Sequence, residues 1–410
     1  MPSRGASLFC RFGEERRTDM ARRPDVSMLR ARPRGGRGFS SVLYDLGKRI
    51  FGHLDPVVLG VMVFLNLLSI LTLYGGIENF GKSRLVMQIA MTIVGFIMMT
   101  VISHLDYRFI VHRYWLVMII FSIVFLALPI LFGTVQGGNK SWITVLKFGD
   151  TTINIQPSEF VKLTFICTFS WHLSSVAGRI NRPKVLIPVA LHAGVILGLI
   201  LLSGDLGVAL VYCGIILLML FAAGMSLWYD LGLFAAITVA FPFLWDLLAE
   251  YQQERILVGF RPELDPLGKG YQPLLSRDGI LHGGWFGHGV FGGEVYEELP
   301  ASHTDFIFST VCEKFGFFGG MLVILALGLL VWRILRLSLE TRDGLGKLIL
   351  VGIAAMVVVQ SIENIGMCLA KLPVVGITLP FLSYGGSSIL AIYLLFGVLH
   401  SVASHGRKRV

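Results

Sequence analysis

Residues 56–75 read PVVLGVMVFLNLLSILTLYG and contain no charged side chain. As a helix, a run of about 20 apolar residues spans the hydrocarbon core of a bilayer, since each residue adds about 1.5 Å and the core is about 30 Å thick. Similar runs recur along the chain. They predict ten spanning helices, at 56–75, 85–103, 114–132, 158–177, 185–202, 206–224, 227–248, 310–335, 348–369 and 386–403.

The overall composition also indicates a membrane protein. Of the 410 residues, 54% are hydrophobic and 15% are charged, whereas a soluble globular chain carries about 25% charged residues. We therefore expect an all-α polytopic membrane protein with about ten transmembrane helices. Residues 51–405 would form its single transmembrane domain.

The N-terminal segment 1–50 is rich in arginine. Twelve Lys and Arg residues fall within positions 1–55, which predicts a basic, disordered cytoplasmic tail that helps to orient the first helix. Basic residues beside a membrane span usually serve the membrane, so no nucleic-acid partner is expected. No apolar core lies in the first 38 residues, which argues against a cleavable signal peptide.

The positive charges predict the orientation of the bundle. Ten spans place both termini on one side. The short loops that share this side carry more Lys and Arg than the short loops on the other side, which is typical of cytoplasmic loops. Both termini are therefore predicted to be cytoplasmic. Two polar regions, 133–157 and the large loop 249–304, would then lie outside the cell, and the composition of 249–304 favours a folded, functional loop.

The large loop ends in LPASHTDFIF, residues 299–308. Asp305 is the last charge before the apolar run begins. Ionisable groups at membrane depth are costly and are functional candidates by default. Asp305 is thus the first candidate for a reaction centre at the membrane edge.

Two other motifs supply further candidates. In QPSEFVK, residues 156–162, Glu159 and Lys162 are three positions apart on one helix face and predict an ion pair that faces the bundle interior. Such a pair would either support packing or hold a polar substrate. In GGNKSW, residues 137–142, Lys140 is suited to neutralise phosphate. Trp142 is suited either to anchor the chain at the interface or to stack on a sugar.

Arg255 belongs to a basic group on the large loop that calls for an anionic partner, either phosphate or lipid headgroups. Ser383 lies in LPFLSYGGSS, residues 379–388, where proline and glycine interrupt the helix. Irregular backbone at this depth is tolerated when it is buried or lines a cavity, so this segment predicts a cavity wall.

Other patterns carry less weight. The five cysteines are scattered and predict packing roles without a disulfide. The histidines of the large loop lack zinc-ligand spacing, so no protein metal site is expected. GHGVFG at 287–292 matches a dinucleotide fingerprint only in its letters, because that fingerprint needs a preceding strand and a cytosolic location. No organic cofactor is therefore predicted.

Taken together, the motifs resemble the SEDS family, which includes RodA, FtsW and SpoVE. The matching stretches follow the family order and cover about residues 55–405. They are QPSEFVKL at 156–163, DLG at 205–207, DPLGKGYQPLLS at 265–276, LPASHTDFIF at 299–308 and LPVVGITLPFLSYGGSS at 372–388. NIGM at 364–367, followed by LPVVG, resembles the RodA branch more than FtsW.

The resemblance implies a peptidoglycan glycosyltransferase that polymerises lipid II on the outer face of a bacterial plasma membrane, for elongation and cell shape. It also implies a class B penicillin-binding protein as partner, with other proteins of the elongation or division machinery. Asp305 corresponds to the essential aspartate of the family. The positions that match the family's substrate-binding residues are Lys140, Trp142, Glu159, Lys162, Arg255 and Ser383.

In this interpretation Asp305 is the general base for the 4-hydroxyl of the acceptor sugar. The pyrophosphate would be held by Arg255, by Lys140 or by a divalent cation, Mg²⁺ or Mn²⁺. Three alternatives remain open: an FtsW-like division polymerase, a flippase or transporter of lipid-linked precursors, and a scaffold for other wall enzymes. The informative charges crowd the outer face, which favours chemistry there over transport.

Overall fold

The computed structural model describes residues 52–136, 139–148, 151–229, 231, 232, 239, 245, 246 and 250–406. The predicted tail at 1–50 lies outside them. The helices, in chain order, are α1 (Pro56–Gly75), α2 (Ile77–Phe80), α3 (Lys82–Ser103), α4 (Tyr107–Phe132), α5 (Pro157–Ser175), α6 (Pro183–Leu202), α7 (Leu206–Ala222), α8 (Glu250–Phe260), α9 (Tyr271–His282), α10 (Val295–Glu298), α11 (Ile307–Glu340), α12 (Gly344–Cys368) and α13 (Gly386–His405). A membrane-spanning, all-α fold is thus confirmed.

Among the described residues, seven helices are long and apolar enough to cross a membrane: α1, α3, α4, α6, α11, α12 and α13. Helix α7 is apolar but shorter, with 17 residues. Helix α5 is less apolar because Glu159 and Lys162 lie in its first turns. These nine helices coincide with nine of the ten predicted spans, whereas most of the predicted span 227–248 lies outside the described residues.

Aspartates at the N-cap position fix where several helices begin. The side chains of Asp55, Asp106, Asp205 and Asp343 accept hydrogen bonds from backbone amides in the first turns of α1, α4, α7 and α12. Such caps satisfy amides that lack a partner within the helix. Helix α4 therefore begins at Tyr107, earlier than the predicted start at 114, since its first turns carry charges that interrupt the apolar run.

The bundle has an inner and an outer layer. In the most apolar window of α12, 72% of the residues are buried, and in that of α13, 61%. In α3 and α4 the corresponding share is 17%. Helix α12 packs against α5, α7 and α11, and α13 packs against α3. The centre of the protein therefore lies around α12, whereas α3 and α4 present most of their apolar surface to lipid.

Both long polar regions are folded where they are described. Region 133–157 contains a small antiparallel sheet, with β2 (Asn139–Phe148) between β1 (Thr134–Gln136) and β3 (Thr151–Ile155). Loop 249–304 holds α8, α9, α10 and a 3₁₀ turn at Pro262–Leu264. The loop is therefore folded where it is described, and its functional role stays a prediction.

Asp55, directly before α1, contacts residues near the ends of α11 and α13. Arg333, near the end of α11, contacts both carboxylate oxygens of Asp55, with Nη2–Oδ2 at 2.7 Å and Nε–Oδ1 at 3.1 Å. The amide of Asp55 also donates to Nδ1 of His400 in α13, at 3.0 Å. Helices α1, α11 and α13 are thus joined at the end of the bundle opposite Asp305.

We predict that Arg333→Met lowers the free energy of unfolding by about 3 kcal/mol, because it removes the guanidinium that contacts both oxygens of the buried Asp55 carboxylate. The cost stays at the low end of the range since two backbone amides still donate to Asp55. The measurement is unfolding in mixed micelles titrated with a denaturing detergent. Arg336→Met, which removes an exposed arginine of the same helix, is the matched control and should cost less than about 1 kcal/mol.

Candidate active site

Asp305 lies in a tight turn directly before α11. Ala301 has a positive φ of 58°, and its carbonyl accepts hydrogen bonds from the amides of Thr304 and Phe306 at 3.0 and 3.2 Å. The hydroxyl of Thr310, in the first turn of α11, donates to the carbonyl of Ser302 at 2.8 Å. The turn is therefore fixed by its own backbone and by the helix that follows it.

The irregular segment 369–385 forms a second wall beside this turn. Asn364, near the end of α12, donates from one amide nitrogen to the carbonyls of Asp305 and Ile377, at 2.7 and 2.6 Å. The hydroxyl of Ser383 donates to the carbonyl of Thr304 and accepts from the amide of Leu379, both at 2.7 Å. Asn364 and Ser383 thus position the Asp305 turn through its backbone.

The start of α7 completes the frame. The Asp205 side chain accepts hydrogen bonds from the Val208 amide and from Gln156 Nε2, both at 3.1 Å. A Cβ at Gly207 would lie 2.5 Å from the carbonyl oxygen of Val375. Only glycine allows this approach of α7 to segment 369–385. Asp205 thus caps the start of α7.

The electrostatics distinguish the two aspartates. Burial, with a smaller contribution from the Asp205 charge, raises the pKa of Asp305 to about 6, against an opposing hydrogen bond from Thr304. Burial also raises the pKa of Asp205, but hydrogen bonds from Val208, Ser141 and Gln156 favour its ionised form. Burial lowers the pKa of the nearby His303 to about 4. Asp305 is thus suited to exchange a proton near neutral pH.

Glu159 and Lys162 form the predicted ion pair inside the bundle. Lys162 Nζ lies 2.7 Å from Glu159 Oε1, and the two side chains are only 3% and 10% exposed. Both line a cleft with about 370 Å³ of empty space. Ser383 lines the same cleft and contacts the Asp305 turn, so the cleft adjoins the turn. Its remaining lining comes from α12, segment 369–385 and α13: Met356, Gln360, Thr378, Leu379, Pro380, Phe381, Ser388, Ile389, Ala391, Ile392 and Leu395.

The remaining predicted site residues are Lys140 and Trp142 on β2 and Arg255 on α8. Lys140 is exposed on β2, and its amide donates to the carbonyl of Ser203 at 3.0 Å, close to Asp205. Trp142, two residues on, is half-buried. Arg255 belongs to α8, but its side chain lies outside the part that is described. The structure thus places Glu159, Lys162 and Ser383 on one cleft, which adjoins the Asp305 turn through Ser383, and it anchors β2 at the start of α7.

Sequence reasoning missed two buried charges in the first turns of α11. Glu313 accepts three backbone amides, those of Glu294, Val295 and Tyr296, each at 2.8 Å. Lys314 donates to the carbonyls of Val290 and Gly292, at 2.9 and 3.2 Å, and lies over the ring of Tyr296. Adjacent charges within an apolar run were the available signal.

Across the described residues, no group of three or more His, Cys, Asp or Glu side chains converges in a way that could hold a metal ion. The histidines of the large loop make other contacts. For example, a ring nitrogen of His288 lies 2.9 Å from the carbonyl oxygen of His282.

A family model described as "Cell cycle protein" and named for FtsW, RodA and SpoVE matches residues 50–408. The chain belongs to this family. The SEDS resemblance of the motifs is thereby confirmed, and the match covers every described helix.

Individual relatives agree with this assignment. Stage V sporulation protein E of Bacillus subtilis is 36% identical over 77% of this chain and 85% of its own length. A probable peptidoglycan glycosyltransferase FtsW of Trichlorobacter lovleyi is 33% identical over 85% of this chain and 93% of its own. A chain in the solved structure of a peptidoglycan synthase complex that coordinates polymerization and crosslinking aligns with a TM-score of 0.73 and 27% identity, covering 85% of this chain and 97% of that one.

We predict that Asn364→Leu lowers the free energy of unfolding by about 2 to 4 kcal/mol. It removes the side-chain donor of the Ile377 carbonyl and leaves the Asp305 carbonyl with only the weak thiol donor of Cys368, at 3.8 Å. The turn that holds Asp305 should loosen, and any activity that depends on Asp305 should fall. Thermal and detergent unfolding report the stability. Ser361→Ala is the matched control on the same helix, because the buried Ser361 hydroxyl makes no hydrogen bond to described groups. Equal costs for both variants would contradict the role of Asn364.

Proposed function

We propose that this chain is a peptidoglycan glycosyltransferase that polymerises lipid II, with Asp305 as its catalytic residue. The observation that carries the proposal is a partly buried carboxylate with a pKa of about 6, held at the end of the bundle by three converging segments. Names given to relatives of similar length support the activity.

We further propose that the Asp305 end of the bundle faces outward and that both termini are cytoplasmic. The opposite end holds the Asp55–Arg333 pair, and its short interhelical loops carry more Lys and Arg than the short loops at the Asp305 end. Clusters of positive charge near short loops are typical of the cytoplasmic side. The reaction would then take place on the outer face of a bacterial plasma membrane.

The proposed reaction joins two lipid-linked sugars. The 4-hydroxyl oxygen of the acceptor attacks the anomeric carbon of the donor, and the bond from that carbon to the pyrophosphate oxygen breaks. Asp305 takes the hydroxyl proton, and the lipid pyrophosphate leaves with the electron pair. A base whose pKa lies near the working pH is ionised and still accepts a proton effectively, which is the condition that burial creates for Asp305.

Positive side chains near the leaving pyrophosphate would stabilise the negative charge that develops on it. Lys140, exposed on β2 beside the start of α7, and Arg255 on α8 are proposed to bind it. Trp142 is proposed to stack on a sugar. The buried pair Glu159–Lys162 and Ser383 would shape the cleft beside Asp305.

A divalent cation, Mg²⁺ or Mn²⁺, fits this chemistry only as part of a substrate complex. Mg²⁺ is commonly bound by one or two carboxylates together with substrate phosphates. Asp305 would supply the protein ligand, and the ion would neutralise charge on the leaving group. An all-protein cage has no support among the described residues.

A class B penicillin-binding protein is the proposed partner, with other proteins of the elongation or division machinery. The chain's likeness to a peptidoglycan synthase complex that joins polymerization to crosslinking supports this. For the cellular role we propose elongation, as in the RodA branch, because NIGM at 364–367 precedes LPVVG. An FtsW-like role in division is the second candidate, supported by the FtsW relative.

We predict that Asp305→Asn abolishes glycan polymer formation, because an amide cannot accept the hydroxyl proton. The measurement uses purified protein, lipid II and a class B penicillin-binding protein, with glycan products separated on gels. Asp278→Asn, an exposed aspartate of the same loop, is the control and should polymerise normally. Normal polymer from Asp305→Asn, with folding intact, would reject the assignment. Labelled lipid II that crosses vesicles without polymer would favour a flippase.

We also predict that kcat/KM for polymerisation rises with pH, with a midpoint near pH 6. Below the midpoint Asp305 is protonated and cannot act as a base, and above it the ionised form dominates. Initial rates across pH test this. His303→Gln is the control for a neighbouring titration: the midpoint should stay, since the pKa of His303 is about 4. A midpoint that moves with His303→Gln would contradict the assignment to Asp305.

A further inference from the structure

Segment 283–293, GGWFGHGVFGG, carries an exposed aromatic surface on the large loop. Trp285, Phe286 and Phe291 are 65%, 80% and 71% exposed. Apart from His288 the segment has no ionisable side chain. Three large aromatic side chains exposed within such a short segment form an apolar surface that is unusual where a protein meets water.

The aromatic side chains continue the lipid-facing surface of α11. The ring of Trp285 lies 5.3 Å from that of Phe317, and the ring of Phe286 lies 5.3 Å from that of Phe318. Phe317 and Phe318 are themselves about half exposed. Beyond them along α11 the exposed side chains are apolar: Met321, Leu322, Ile324, Leu325 and Leu329.

The length of α11 shows how deep Phe317 lies in the membrane. From Phe317 to Arg333 the helix rises about 24 Å at 1.5 Å per residue, which is less than the roughly 30 Å hydrocarbon core. Arg333 and Asp55 form an ion pair, and charges are costly inside the core, so this pair lies at or beyond its opposite edge. Phe317 therefore lies within the hydrocarbon core. Trp285 packs against Phe317, and Phe286 packs against Phe318, so both lie at a similar depth.

Helix α1 gives a consistent depth for Phe291, the third exposed aromatic residue. The ring of Phe291 lies 5.6 Å from that of Tyr74. Tyr74 is 19 residues along α1 from Asp55, or about 28 Å, which places Phe291 at the near edge of the core. Segment 283–293 thus reaches from the membrane edge at Phe291 to a greater depth at Phe286.

The backbone of the segment is suited to this depth. Non-helical backbone within a bilayer needs hydrogen-bond partners in the protein. The amides of His288 and Gly289 donate to the carbonyls of Glu313 and Lys314, at 3.1 and 2.9 Å. The amide of Phe317 donates to Gly284, at 2.8 Å, where α11 is interrupted at Gly316. Lys314 satisfies two further carbonyls of the segment.

We propose that segment 283–293 is embedded in the lipid leaflet at the Asp305 end, with Trp285, Phe286 and Phe291 among the acyl chains and headgroup boundary. Lipid covers this segment, because the aromatic surface of the segment is continuous with the lipid-facing side of α11. The large loop is then a membrane-inserted element that fixes the height of the Asp305 turn relative to the bilayer.

The test places a nitroxide on Phe286→Cys in the full chain, reconstituted in phosphatidylcholine–phosphatidylglycerol bilayers. Collision rates with oxygen, which concentrates in lipid, and with a nickel chelate, which stays in water, are measured by power saturation. Leu325→Cys on α11 is the lipid reference, and Glu297→Cys on α10 is the water reference. Unsubstituted protein taken through the same labelling reports any signal from the native cysteines.

The oxygen-to-nickel collision ratio at 286 should match that at 325 and exceed that at 297 several-fold. A ratio equal to that at 297 would show a surface in water and overturn the proposal. Low collision with both reagents would show a protein covering the segment, such as a second copy of the chain, and would also overturn it. Phe291→Cys provides the same measurement should Phe286→Cys fail to fold, with an expected ratio between the two references.

Discussion

Backbone amides and carbonyls inside a bilayer must find hydrogen-bond partners within the protein, since the hydrocarbon core holds no water for them. Helices meet this constraint by themselves. Where the described chain leaves a helix near the Asp305 end, buried polar side chains meet it instead: Asn364 for two carbonyls, Ser383 for one carbonyl and one amide, and Glu313 for three amides. Asn364, Ser383 and Glu313 thus mark points where the backbone becomes irregular.

The same constraint shapes the chemistry of the site. Asn364 and Ser383 hold the Asp305 turn through its backbone carbonyls and not through the carboxylate. Burial raises the pKa of both aspartates, and their hydrogen bonds distinguish them. Those from the Val208 amide, Ser141 and Gln156 favour the anion of Asp205, whereas Asp305 has only that from Thr304 against burial, and its pKa is raised to about 6. Two carboxylates in one site with different environments suit different roles, one structural and one as a base.

Helix α11 connects this chemistry to the membrane. Its first residues follow the Asp305 turn, and its next turns carry Glu313 and Lys314, which organise the backbone of 290–296. Beyond the interruption at Gly316, Phe317 and Phe318 pack against the aromatics of segment 283–293. The position of Asp305 and the seating of the large loop therefore depend on the same 12 residues of one helix, Ile307–Phe318.

The sequence by itself determined the membrane class, the positions of nine described helices of the bundle and the Glu159–Lys162 pair. These depend on run length and on spacing along a helix, which are local properties. It did not reveal the sheet at 134–155, whose short strands need each other as partners, or the roles of Asn364, Glu313 and Lys314. Only the tertiary structure decided those roles, because which carbonyls and amides lack partners depends on where distant irregular segments meet. The pKa of Asp305 belongs to the same group, since it follows from burial by segments far apart in the chain.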